Sequence, residues 1–457
     1  MGKGSSIPPA SLVPQFLADK YTDLEMGYML RYCDNKFYIW QEGYYRELGS
    51  EYLKLEFTKW AGELADPEYK NTRNNAEEAL HHIKTKTVMG AGASVVFLDT
   101  FIDQTELGIF RAFQNGLVNI DEMLKDPDRV DIISHTPQFF NLSKIPYDYD
   151  PFASCPTWNQ IVEKVIPNKE DQVLLQQWFG YHLMSGLSKG KMMFFEGTGA
   201  NGKSVVLLVL RLMLGEENVS SIPINGFDPD KVFKLAATYG KLANIVEEVG
   251  PITSRVEDTI KLFVTGGAIT VEKKFKDPFT LNPTAKLTFA TNEFPTFNDR
   301  SSGLWRRILY IKFPVTISKK EQKPEFLEKD FWLKSGELSG VLNWALEGAK
   351  SLNDQGFLET ACQKNELEML KMNSDLLRPW VQDNFEGDPN AKEPTKNILN
   401  LFSEAIRNSH LPRLSQRDLF KEIQAQFPKS FRPPNAIQDK DGARKRVVCG
   451  IRIRQNT

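Results

Sequence analysis

Phe194-Phe195-Glu196-Gly197-Thr198-Gly199-Ala200-Asn201-Gly202-Lys203-Ser204-Val205 decides how the rest of this chain is read. Met192 to Phe195 is an apolar run of strand length, the GxxxxGKS pattern follows it, and an apolar helix begins at Val205. Glycines let the backbone turn tightly enough for successive N–H groups to face phosphate oxygens, and the helix N-terminus adds the positive end of its dipole. Gly197, Thr198, Gly199, Ala200, Asn201, Gly202, Lys203 and Ser204 are therefore expected to cradle ATP. Lys203 is expected to reach the β- and γ-phosphates, and the Ser204 hydroxyl to ligate Mg2+. A chance glycine turn is the alternative, and the strand-loop-helix setting argues against it.

Working outward, Leu242-Ala243-Asn244-Ile245-Val246 reads as a second buried strand that ends in Glu247-Glu248. A P-loop enzyme needs an acid there to hold magnesium and another to polarise the attacking water. Either glutamate could be the base; Glu247 is favoured at the metal and Glu248 as base. Lys286 to Thr291 reads as a third strand, and the Asn292 amide beyond it could donate to the γ-phosphate and orient water, or simply cap a turn. Arg306-Arg307 precedes the apolar run from Ile308 to Ile311. One of these arginines could enter a neighbouring subunit's site as a finger while the other makes an ion pair. Between the second and third strands, Lys273, Lys274, Phe275 and Lys276 pack three lysines around one aromatic. A hairpin tip of that kind offers phosphate contacts and a stacking face to single-stranded DNA, solvated turn lysines being the commonplace reading.

In order and spacing these residues resemble the superfamily-three helicases, in the branch of the phage and plasmid primase-helicases and the poxvirus primase-helicase. Tyr147-Asp148-Tyr149-Asp150-Pro151, Cys155-Pro156, Trp158 and Trp178-Phe179-Gly180-Tyr181 are similar to the helical domain that precedes the motor in that branch. The resemblance implies an α/β P-loop AAA+ core that assembles as a ring, usually a hexamer, and moves 3′ to 5′ on single-stranded DNA. It places ATP between subunits, with Arg306 or Arg307 contributed by the neighbour and the lysine segment lining the central channel. Many relatives carry aspartate at one of the two acidic strand-end positions, whereas this chain has glutamate at both, Glu247 and Glu248. Many also fuse a primase. Asp148 and Asp150 have DxD spacing but lie in the helical-domain match, and the 5 histidines supply no partner for them, so no primase activity is expected and a separate primase or polymerase could be a partner.

The remaining sequence divides around that motor. With 457 residues, more than one core is expected. Residues 1–90 read as a small α+β module: Lys36 to Trp40 and Tyr44 to Arg46 form an aromatic hairpin, which packs a small sheet or, less commonly, stacks on bases, and Glu51 to Leu64 has helical period. Residues 91–185 read as mostly helical, 186–350 as the motor, 351–375 as a polar, helix-prone linker, and 376–457 as a winged-helix-like domain. In that last segment, helices at Thr395 to Ser409 and Ser415 to Phe427 precede a basic hairpin. Residues 429–457 hold eight lysines and arginines against two aspartates, which suits phosphate contact.

The formal net charge of −2 argues against a uniformly basic nucleic-acid coat. The 4 cysteines are widely spaced with no CxxC pair, which fits a reducing cytosol and excludes zinc ribbons. The apolar stretch Val205 to Leu214 is short and interrupted by Arg211, so no membrane span is expected. An ATP-dependent ring that acts as an assembly switch or an origin loader, without unwinding, is the competing expectation.

Overall fold

The structure is a computed structural model and describes residues 7–33, 35–64, 68–89, 96–97, 110–125, 131–184, 186–250, 252–272, 278–295, 297, 302–374, 377–408, 415–433, 436–438 and 444–454. Two compact units are present. The first comprises Met1–Gly250, Asp258–Glu293 and Arg307–Thr360; the second comprises Pro251–Glu257, Phe294–Arg306 and Ala361–Thr457.

A 5-stranded sheet centres the first unit. Its strands are β1 (Met192–Glu196), β2 (Val219–Ser220), β3 (Ala243–Val246), β4 (Lys286–Thr291) and β5 (Ile308–Lys312), in the spatial order β2-β3-β4-β1-β5. Every neighbouring pair is parallel. All residues of β3 and β4 are buried, which is why these strands are largely apolar without a strict polar alternation. The chain leaves β1 toward β2 at one edge and leaves β4 toward β5 on the other side. Adjacent β1 and β4 therefore form a topological switch point, and the loops beyond their carboxyl ends flank a crevice.

Helices cover the sheet. Helix Lys203–Leu214 buries Val206, Leu207, Val209, Leu210 and Met213, and helix Lys169–Tyr181 is tied to β4 by Trp178 Nε1, which donates to Thr288 Oγ1 at 3.0 Å. Helix Glu337–Gln355 lies so close to Lys169–Tyr181 that a Cβ added at Gly348 would sit 2.0 Å from the Gln176 carbonyl oxygen. Trp158, Trp178 and Trp332 are fully enclosed in the same core as Leu210 and Leu342.

The first unit also holds an antiparallel sheet of Leu30–Cys33, Lys36–Gln41 and Tyr44–Leu48. Its expected hairpin forms: Glu42 and Gly43 have φ of 52° and 92°, the paired left-handed conformations of a tight two-residue turn. Tyr38, Trp40 and Tyr45 are buried, and Tyr38 and Tyr45 pack on Phe140, so these rings serve as core rather than as a stacking platform. The segment 91–185, expected as mostly helical, departs from that reading. Phe110–Phe113, Gly116–Asn119 and Ile132–Ile133 form a three-stranded antiparallel sheet, with helices Pro156–Val165 and Lys169–Tyr181 following. The reversal is the two-residue Gln114-Asn115 turn, and Gly116 opens the second strand at a point where a Cβ would meet Ile132 and Ile133 of the third.

In the second unit, helices Leu377–Asn384, Thr395–Arg407 and Gln416–Gln426 enclose Leu377, Val381, Phe402 and Ile423. Strand Phe385–Pro394 pairs antiparallel with Val447–Ile453 and closes that core with Phe385 and Ile451. The 351–375 stretch, expected as a linker, contains the end of helix Glu337–Gln355 and the helix Ala361–Ser374: its straight-chain polar residues favour helix over coil. No helix among the described residues is long and apolar enough to cross a membrane.

Candidate functional site

The Gly197–Ser204 segment leaves the carboxyl end of β1 and turns into helix Lys203–Leu214 at the switch point. Gly199, Ala200 and Gly202 take φ of 105°, 47° and 86°, which curls the backbone into the anion-binding form of a nest. The curl is fixed from outside: Gly197 N donates to Thr291 O of β4 at 3.2 Å, and Ile317 N donates to Ala200 O at 2.7 Å. Lys203 is buried inside the loop, where its ammonium donates to Gly197 O and, at 3.3 Å, to Asn201 Oδ1. Burial holds that ammonium below the ordinary lysine range, with Glu196 acting in the opposite sense. Asn201 Nδ2 is buried with no hydrogen-bond acceptor among the described residues.

Across β4, the exposed Ser204 hydroxyl donates to Glu247 Oε2 at 3.3 Å. Two oxygens that bind one Mg2+ at adjacent octahedral positions lie ~2.9 Å apart, given metal–oxygen distances of ~2.0–2.1 Å. The Ser204–Glu247 pair needs almost no rearrangement to reach that spacing. Lys203, the orphaned Asn201 amide and the inward curl of the loop likewise suit a polyphosphate, so the residues fit the nucleotide and metal that the motif implies. Glu248, next along the chain, is exposed. Asn292, one residue beyond the Thr291 that contacts the loop, is also exposed at the end of β4.

Other expected residues fall elsewhere. Lys273, Lys274, Phe275 and Lys276 lie outside the described residues, although the flanking strands Ile269–Val271 and Phe279–Leu281 pair antiparallel. In the second unit, Phe294, Phe297 and Trp305 form a ring cluster, with centroids 5.6 to 6.3 Å apart, immediately ahead of exposed Arg306. In the first unit, Arg307 is half-buried, and its carbonyl accepts from Met192 N at 2.8 Å at the start of β1.

Two supporting residues escaped sequence reasoning. Tyr310 OH donates to Glu196 Oε2 at 2.9 Å and orients a carboxylate whose charge acts on Lys203. Arg211 donates to Ile245 O at 2.6 Å beneath β3, and its charge interacts with that of Glu247. Neither has a local sequence signal: Tyr310 sits in an apolar strand, and Arg211 reads as an interruption of an apolar helix.

Residues 15–167 match the family described as D5 N terminal like, and residues 195–307 match a family of unknown function, DUF5906. The chain is 25% identical over 250 residues to a candidate helicase of Acanthamoeba polyphaga mimivirus, which covers 51% of this chain and 25% of that protein. It is 20% identical over 202 residues to a candidate primase of African swine fever virus, covering 40% of this chain and 21% of that protein. The matched segments thus span a quarter or less of the curated relatives' own length. A solved structure, the apo A form of the NrS-1 C-terminal region, aligns over 97% of this chain and 100% of that one at 12% identity, with a TM-score of 0.49. The family model and the viral relatives together fit a phage or viral primase-helicase family.

Proposed function

We propose that the chain is an ATP-driven DNA helicase of the superfamily-three AAA+ kind, acting in replication of a phage, plasmid or integrated element. The observation that carries this reading is the meeting of Lys203, Ser204 and Glu247 at the β1–β4 switch point. Bound ATP and Mg2+ supply the transferable phosphoryl group and the neutralising charge that in-line attack by water requires. Ser204 and Glu247 hold the metal; Lys203 leaves its contacts with Gly197 and Asn201 to reach the β- and γ-phosphates; Glu248 orients and deprotonates water. Asn292 donates to the γ-phosphate side of the crevice. Arg306 or Arg307 completes a neighbour's site in a ring, a hexamer by resemblance, and Lys273, Lys274, Phe275 and Lys276 grip a single strand moving 3′ to 5′. The viral relatives named for helicase and primase roles support a place in DNA replication.

The test is the ATPase rate of the purified chain with and without single-stranded DNA, beside Lys203→Ala and a Lys273→Ala/Lys274→Ala double variant. DNA is expected to raise the native rate, Lys203→Ala to abolish hydrolysis, and the double variant to lose the stimulation alone. Hydrolysis indifferent to DNA, with no strand separation, would overturn the motor and leave an ATP-dependent assembly switch. Primer synthesis from ribonucleotides by the chain alone would overturn its assignment as a motor without a primase.

A further inference from the structure

At the amino-terminal ends of β2 and β3, away from the Gly197–Ser204 loop, the first unit contains an open cavity of about 480 Å3. That volume lies within the ~300–1,000 Å3 range of small-ligand pockets. The lining combines cations with tyrosines: Lys36, Tyr44 and Arg46 come from the small antiparallel sheet, and Glu217, Tyr239 and Lys241 from the turns that lead into β2 and β3.

The groups are already organised. Arg46 Nε donates to Tyr44 OH at 2.6 Å, and its guanidinium lies 4.7 Å from the centre of that ring. Tyr44 OH in turn donates to Glu217 Oε2 at 3.2 Å, and the Lys144 ammonium stands 5.8 Å over the same ring. Lys36 sits 4.7 Å over the Tyr239 ring while it pairs with Glu47 at 3.1 Å. Lys241 is half-buried and donates to the Glu217 carbonyl, and burial holds its ammonium below the ordinary lysine range. Three cations, Lys36, Arg46 and Lys241, thus line the cavity, against Glu47 and Glu217 within it, while Arg46 also pairs with Glu42. Tyr239 also packs edge-on against Phe279, 5.7 Å between centroids, on the strand that follows the lysine segment in sequence.

We propose that this cavity is a second contact for single-stranded nucleic acid, which takes two neighbouring phosphates, one on Arg46 and one on Lys241, and the adjoining base against Tyr239. Cations interleaved with aromatic faces are what sequence-tolerant grip on a strand requires, and the contact of Tyr239 with Phe279 joins the cavity to the strand that leaves the lysine segment. The inference rests on the DNA reading above and extends the path of the strand onto the amino-terminal module.

The experiment uses the full chain and a labelled oligo-dT, with binding followed by fluorescence anisotropy over a salt series, beside basal ATPase without DNA. Arg46→Gln/Lys241→Gln is expected to keep basal ATPase and to lower the slope of log affinity against log salt by about 1.4, at ~0.7 per lost phosphate contact on a single strand. Between ~1 M and ~50 mM salt that slope amounts to roughly 60-fold. Arg46→Gln alone, at a largely solvent-facing side chain, should lose about half of the slope change without touching the fold, and Arg46→Lys/Lys241→Arg should restore it.

A native slope retained by the glutamine variants, while the native chain binds the strand, overturns the cavity's role and leaves the motor reading intact. A native chain that binds no single strand overturns both. Saturable binding of free thymidine monophosphate that the double variant loses would assign the cavity to a free nucleotide instead of a strand.

Discussion

Gly202 joins the Gly197–Ser204 loop to the core, and an alanine there should be destabilising in a way that a second substitution partly repairs. Its φ of 86° is left-handed, which costs an ordinary residue ~1–2 kcal/mol. The added Cβ would also sit 2.5 Å from Val165 Cγ1. Val165 is buried and β-branched, so it cannot swing aside, and opening that contact by about 1 Å to van der Waals distance should cost ~1–3 kcal/mol. Gly202→Ala is therefore expected to lose about 2–5 kcal/mol. Val165→Ala alone removes two methyl groups, about 1.6 kcal/mol at ~0.8 per buried carbon, plus a cavity term. In the double variant the offending Cγ1 is gone and the new methyl refills part of the space. The losses should then fall short of additivity by about 1–3 kcal/mol. Urea unfolding of all four proteins, followed by the emission of the enclosed Trp158 and Trp178, measures that coupling. Additive losses within ~0.5 kcal/mol, or a Gly202→Ala protein as stable as the native one, would refute the reasoning.

Three further outcomes follow from the structure. His182 is fully enclosed, its Nδ1 lies 2.8 Å from Trp178 O, and burial, reinforced by Lys286, pushes its pKa down to about 3. The unfolded chain binds the extra proton first, so this contribution to stability is complete above pH ~6.5 and is lost as pH falls, by about 1.4 kcal/mol per unit toward pH 3. Urea midpoints of native and His182→Gln proteins should converge in that window, and parallel pH profiles would remove His182 as the cause. Glu248→Gln should hydrolyse ATP ~10²–10⁴-fold more slowly while it still binds Mg-ATP, whereas Ser204→Ala and Glu247→Gln should raise the Mg2+ concentration needed for binding. The reverse pattern would exchange the two glutamates. Gly348→Ala places a methyl against the Gln176 carbonyl and should lose ~1–3 kcal/mol despite alanine's ~1 kcal/mol advantage in a helix; a gain in stability would show that the two helices part freely.

The five-stranded sheet was legible because parallel strands covered on both faces are mostly apolar: Met192 to Phe195 is a continuous run, and Ala243–Val246 and Lys286–Thr291 carry Ile245, Val246, Leu287 and Phe289. β2, only two residues long, has no run to detect. The Gly197–Ser204 loop declared itself through local chemistry, and so did the acids that follow β3, but only the fold shows that Glu247, rather than its neighbour, meets Ser204. Strand Phe385–Pro394 was illegible: its glycine, asparagine and two prolines spell a loop, and it is extended because Val447–Ile453, distant in sequence, pairs with it. The aromatic hairpin was found, but alternation gives no measure of which face meets solvent, and both its faces are partly covered. The sheet at Phe110–Asn119 went unread although Asn115 in its turn and Gly116 at the head of its second strand both disfavour helix.

The strand order also bears on how the protein comes to exist. β1 emerges from the ribosome long before either of its neighbours, since Met193 pairs with Thr288 of β4 and with Leu309 of β5. At ~5–20 residues per second, roughly 5–20 s of synthesis pass in which Met192-Met193-Phe194-Phe195 has no sheet to join. This apolar strand in the interior of the sheet is thus a waiting edge throughout translation of β2, β3 and the segment between them. Truncation or stalling before residue 312 would release chains whose centre is built for pairing and lacks its partners. Full-length yield should therefore depend on chaperone supply and synthesis rate more steeply than the stability of the finished protein suggests.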